Sequence, residues 1–306
     1  VRALPAPTSA AVQRAGCGKR RFHGGAARCL AKLRVPDPVG EDLADIPNVL
    51  NAIRADWRGG GSLNRLSAWN FGKQLKARLR RKEEAATRTT STSENTGLPV
   101  DVLVTGCEVS LWLGEQFAAD LAMCFKRLCV RTISANKVLG LLGQKFPVPQ
   151  FGHQFAEDDW DLRDTLVVII SHSGGTFAPL AVSNLMQSFT TRLFVVTSEW
   201  DTQIGKQLRQ LDSRMFESRI FSTDLGVRPA EPCSVSVAAT QQLLTHVLEY
   251  AAQLILASPP LRHAAGAAVT DVDLAELERC SRETIGALET IVGFDRRGQR
   301  LRAGGG

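Results

Sequence analysis

The chain has 306 residues, of which 44% are hydrophobic and 22% charged, enough for one large or two small domains with a buried core. No stretch approaches the roughly 18 continuous apolar residues of a membrane-spanning helix, which excludes such a span from this sequence. The net charge of +6 does not point to nucleic acid: residues 1–36 hold eight Lys and Arg and no acid, leaving 29 basic against 31 acidic residues elsewhere.

In chain order, residues 1–98 are irregular in composition. The basic segment, rich in Ala, Arg and Gly, reads as a disordered terminus over about residues 1–40, the alternative being an Arg-rich, acid-poor transit sequence. The expected location is accordingly cytoplasmic, or organellar under the alternative. Short helices are expected at 42–56 and 64–84, separated by "RGGGS" at 58–62 and followed by "TRTTSTSENTG" at 87–97. The seven cysteines form no CxxC pair and no zinc-like spacing with histidine, so neither a disulfide framework nor a metal site is expected.

Residues 99–257 form the expected ordered core. "VDVLVTG" is a predicted strand, and Leu113, Phe117, Leu121, Phe125 and Leu128 then recur at helical spacing. "VRTISA" and "TLVVII" are the next two strands, and "APLAVSNLMQSF" is a helix. "RLFVVT" is a fourth strand, Ile204 to Leu211 a helical patch, "RIFST" a short fifth strand, and Ser236 to Leu256 a long helix. Strands apolar on both faces, alternating with helices, predict an α/β three-layer sandwich around a five-stranded parallel sheet, flavodoxin-like. Residues 258–306 hold a Pro-Pro break, a predicted helix from about Val272 to Val292 opened by a Thr270-Asp271 cap, and an Arg/Gly tail expected to be disordered from 295.

The stretch "VVIISHSGGT" at 167–176 carries the functional signal. An apolar strand stops and six small or polar residues follow, at the edge where ligands of parallel sheets sit. One reading is anion binding: Ser171, Ser173 and Thr176 place three hydroxyls around a turn that opens a helix, and Gly174 and Gly175 let backbone N–H groups approach a ligand. Neither GxxxxGK[ST] nor GxGxxG is present, so a nucleotide cofactor is not indicated. A second reading is a serine hydrolase of α/β-hydrolase type, with Ser173 as nucleophile in an elbow whose first Gly is replaced by Ser171. It would draw its acid from Asp201 and its base from His246 or His263. The third reading is a plain turn, and His153 in "FGHQF" reads as a loop histidine.

The segment "IISHSGGTFAPLAV" resembles the S-x-S-G-x-T signature of the sugar isomerase (SIS) domain, found in phosphosugar isomerases and in the first isomerase subdomain of glucosamine-6-phosphate synthase. The likeness runs from about Val100 to Leu256. It implies that Ser171, Ser173 and Thr176 bind a sugar phosphate, with His172 also touching the ligand and Ser110 in "TGCEVS" adding a hydroxyl. In that turn Glu108 replaces a glycine of the family pattern. "AEPCSVSV" is similar to the opening of the family's last helix, with Glu231, Ser234 and Ser236 at matching positions. The resemblance implies a phosphorylated sugar as partner and no cofactor. It leaves open a phosphosugar isomerase and a non-catalytic sensor. For a catalyst, Glu231 and Glu108 are the candidate carboxylates. It further implies a homo-oligomer pairing through the Leu113–Leu128 or the Ser236–Leu256 helix. The 272–292 helix resembles one that leads to later parts of larger proteins, so the chain reads as a piece of a longer one.

Overall fold

The computed structural model of the chain describes residues 37–88, 100–142, 162, 164–211, 218–226, 228 and 234–304, the last turns of some helices by their backbone alone. The basic segment 1–36, His153 and Glu231 lie outside the described residues.

Five strands form one sheet: β1 (Val102–Gly106), β2 (Val130–Ser134), β3 (Leu166–Ile170), β4 (Leu193–Thr197) and β5 (Ile220–Ser222). Every neighbouring pair is parallel and the order is β2-β1-β3-β4-β5, the flavodoxin-like arrangement expected from the sequence. β1, β3 and β4 are buried at every position. Their side chains alternate between two apolar layers: in β3, Leu166, Val168 and Ile170 enter one and Val167 and Ile169 the other. A strand with apolar residues on both faces is stable only when both are covered, which is why these runs form the middle of a sandwich.

One face is covered by α1 (Pro38–Arg58), α2 (Leu63–Arg88), α3 (Val109–Cys124) and a later helix, α7 (Ser234–Leu256). The other is covered by α4 (Ala135–Leu142), α5 (Phe177–Met186) and α6 (Gln203–Leu211). α8 (Pro259–Ala265) and α9 (Asp271–Gly304) follow α7. Phe71, Leu75 and Leu79, one helical turn apart on α2, are fully buried, and Phe71 meets Phe194 of β4 edge-on at 5.3 Å. Val49 and Ile53 of α1 join the same apolar layer. The compact unit containing the sheet accordingly runs from Pro38 to Gly306.

At the foot of the sheet, the fully buried Asp101 carboxylate accepts hydrogen bonds from Arg78 Nε (2.8 Å), Lys82 Nζ (2.7 Å) and the Cys129 N–H (2.8 Å), tying α2 to β1 and β2. α7 packs against α1, α2 and α3, so its apolar face is occupied within the chain, whereas α3 keeps Trp112 and Met123 exposed. α9 starts at the expected cap. The Thr270 N–H donates to Asp273 Oδ2 at 2.8 Å and the Asp273 N–H donates back to the Thr270 hydroxyl at 3.3 Å. Its backbone stays helical to Gly304, past the expected stop near Val292, because Arg, Gln and Leu favour helix and two isolated glycines do not break it. No helix among the described residues is long and apolar enough to cross a membrane.

Candidate functional site at the sheet switch point

The strand register aligns Gly106, the last residue of β1, with Ile170, the last residue of β3. Cys107 and Ser171 therefore leave the sheet side by side. Their connections run to opposite faces, α3 on one and α5 on the other, which opens a crevice between the two turns. The crevice is a cavity of about 850 Å³, walled by the turns after β1, β3 and β4 and by the starts of α3, α5 and α7.

The turn after β3 forms its floor. Ser171 is buried, and its Oγ has no hydrogen-bond partner among the described residues. Gly174 takes φ +60°, and its N–H donates to the Ser171 carbonyl at 3.1 Å. A Cβ at Gly174 would lie 2.3 Å from Thr202 Cβ, so the position requires glycine for both conformation and space. The exposed Ser173 and Thr176 hydroxyls are 3.1 Å apart. Thr176 caps α5 in extended conformation, yet its hydroxyl makes no capping bond to the helix. The first N–H groups of a helix, here those of Phe177 and Ala178, lack intrahelical acceptors, while Pro179 has no N–H to leave unpaired. The loop is braced from β4, where the Ser198 N–H and the Thr197 hydroxyl both donate to the His172 carbonyl, at 2.8 and 3.2 Å. Burial, and then the positive charge of Arg228, lower the His172 pKa below the ordinary imidazole range, which favours a neutral ring.

The turn after β1 forms the facing wall. Gly106 allows α3 to start against the sheet, since a Cβ there would meet the Ser110 carbonyl carbon at 2.9 Å and the Ile170 oxygen at 3.0 Å. Glu108 has φ 49° and ψ −122°, in a region that glycine tolerates and other residues enter only under strain. Burial raises the Cys107 pKa, which favours the protonated thiol.

Ser110, Glu108, Ser171, His172, Ser173, Thr176 and Ser236 are thus brought to one cavity. The catalytic triad of the hydrolase reading is not assembled. Ser173 Oγ is partnered by the Thr176 hydroxyl and the Gly175 N–H, and the strained φ of the turn falls on Gly174 rather than on the serine. Asp201 reaches the cavity but is held by Arg209 at 2.5 Å. His246 is buried in α7, stacked on Trp57 with ring centroids 5.1 Å apart and bonded to Gln242. His263 sits on α8 near Glu83.

Asp42 and Arg228 are among the cavity residues that went unforeseen in the sequence. Asp42 comes from α1, in a stretch that composition marks as irregular, and is 3% exposed. Arg228 follows Gly226 in the loop after β5; its Nη1 lies 2.9 Å from Asp45 Oδ2 and 3.8 Å from Asp42 Oδ1. The "GVRP" stretch offered a signal for the arginine, a cation on a loop at the carboxyl edge. Asp42 offered none.

No family model and no curated protein matches the chain. Among solved structures it is similar to a putative phosphosugar isomerase from Silicibacter pomeroyi, at 11% identity and TM-score 0.47 over 76% of this chain and 54% of that one. It is also similar to the C-terminal domain of glucosamine-fructose-6-phosphate aminotransferase from Francisella tularensis, at 14% and 0.48 over 87% and 59%. A third is a Methanococcus jannaschii protein whose structure was taken to infer 3-hexulose-6-phosphate isomerase function, at 13% and 0.40 over 70% and 89%. The chain spans little more than half the length of the first two. The solved structures to which this chain is similar thus include a putative phosphosugar isomerase and the C-terminal domain of an aminotransferase.

Proposed function

We propose that the cavity at the β1/β3 switch point binds a phosphorylated sugar, with the phosphate on the turn 171–176. The observation that carries this reading is the buried, unpartnered hydroxyl of Ser171 beside the paired hydroxyls of Ser173 and Thr176 at the start of α5. Leaving a buried hydroxyl without a partner costs about 1–3 kcal/mol, and an anionic acceptor removes that cost. The positive end of the helix dipole adds about 0.3–2 kcal/mol for an anion at that place. A cavity of about 850 Å³ has room for a sugar as well as its phosphate. The resemblance of the segment to the sugar isomerase signature points the same way. The reading is one of binding. Proton transfer between adjacent sugar carbons would need a base, and Glu108, one of the two sequence candidates, stands at the cavity.

The test replaces two hydroxyls. Each hydrogen bond to a charged acceptor contributes about 1.5–3 kcal/mol. The Ser173→Ala, Thr176→Ala double variant is therefore expected to bind glucose 6-phosphate and inorganic phosphate at least ~10-fold more weakly by calorimetry, with an unchanged melting temperature. Equal affinity of variant and parent would remove the proposal.

A further inference from the structure

Besides the turn 171–176, the cavity wall contains a second pair of groups with incomplete hydrogen bonding. Asp42 is buried, and its Oδ2 has no partner among the described residues. Its Oδ1 is 3.8 Å from Arg228 Nη1, beyond hydrogen-bond distance. Arg228 is held instead by Asp45, one turn further along α1, at 2.9 Å, and its own buried Nε–H has no acceptor among the described residues. The wall thus offers one strong acceptor and one strong donor, both charged, both lining the same cavity and both short of a partner. Neither is explained by folding alone. A lone ion pair would close the gap between Asp42 and Arg228, and a buried carboxylate oxygen left without a donor is destabilising.

We infer that Asp42 and Arg228 read the hydroxylated carbon chain of the ligand, Asp42 accepting a hydrogen bond from a sugar hydroxyl while the Arg228 Nε–H donates to a hydroxyl oxygen. The inference rests on the phosphosugar reading above and adds the group that selects for the sugar part. A hydroxyl is both donor and acceptor, so it satisfies the two groups together, which a simple alkyl phosphate cannot do. Sites built to hydrogen-bond a hydroxyl reject analogues that lack it, because the buried polar groups then stay unpaired. α1 comes from the part of the chain that precedes the first strand, so this selectivity is supplied from outside the strand-helix repeat that forms the phosphate turn.

The experiment measures binding of inorganic phosphate, ethyl phosphate and glucose 6-phosphate to the full chain, to Asp42→Asn and to Arg228→Lys. Asp42→Asn keeps the shape of the side chain and leaves the Arg228–Asp45 pair in place; Arg228→Lys keeps the positive charge. The parent is expected to bind glucose 6-phosphate more tightly than ethyl phosphate. Both variants are expected to lose about tenfold affinity for glucose 6-phosphate while their affinity for inorganic phosphate stays within twofold. Retention of full glucose 6-phosphate affinity by Asp42→Asn would overturn the inference and leave the phosphate turn standing. An equal loss for inorganic phosphate would also overturn it, because the pair would then act on the anion or on the fold. A parent that binds none of the three compounds would remove the phosphosugar reading and this inference together.

Discussion

At the scale of the residue, Glu108 shows how a site can hold a conformation that its side chain resists. The pattern that this turn resembles has glycine here, and the structure keeps a glycine-like backbone, φ 49°, under a glutamate. Such strain costs about 1–3 kcal/mol, while glycine loses about 0.5–1 kcal/mol more chain entropy on folding. Glu108→Gly is therefore expected to stabilise the chain by about 1 kcal/mol, raising the melting temperature by a few degrees in a thermal scan. A lower melting temperature would show that the glutamate makes compensating contacts. The two glycines of the turn after β3, equivalent in the sequence, separate in the same way. Gly174 is fixed by its positive φ and by Thr202, whereas the space next to Gly175 is open to 3.7 Å. Sequence marked both as permissive, because the difference lies in a contact with a residue nearly thirty positions away.

At the scale of the element, α2 is the clearest case of a helix whose role was hidden. A helix was expected at 64–84, but its composition is dominated by the charge run "KARLRRKEE". The structure shows one narrow stripe, Phe71, Leu75 and Leu79, inserted into the sheet layer, and charged residues that are themselves employed, Arg78 and Lys82 on Asp101. Large-to-small changes in a filled core cost about 3–5 kcal/mol for phenylalanine. Phe71→Ala is expected to lose about that much stability in urea unfolding, and a loss below 1 kcal/mol would mean that α2 is an appendage. The strands were legible chiefly through β1, β3 and β4, whose near-continuous apolar runs have few alternatives. The α2 stripe was not, since three residues among many charges give a weak period. Asp42 was illegible because its burial depends on α1 packing against α7 and α9 rather than on local sequence.

At the scale of the whole molecule, the five-stranded parallel sheet and the gathering of Ser171, Ser173 and Thr176 at its edge were both foreseeable, because alternation sets the sheet and the sheet sets the edge at which turns can bind. The contributions of α1 and of the loop after β5 were not, because they depend on how distant segments close over that edge. The register that sets Gly106 beside Ile170 has a further consequence, for hydrogen exchange. The two turns of the site hang from adjacent strands, each flanked on both sides and covered on both faces, where opening approaches global unfolding. Amides of β1 and β3 are expected to exchange slowest, and those of the edge strands β2 and β5 faster. A ligand then meets turns already anchored to the least mobile part of the chain, so little order has to be created on binding. Glucose 6-phosphate is expected to slow exchange at residues 171–178 and to leave the rates in β1 and β3 nearly as they were, whereas slowing spread across all five strands would mean that the sheet itself tightens around the sugar.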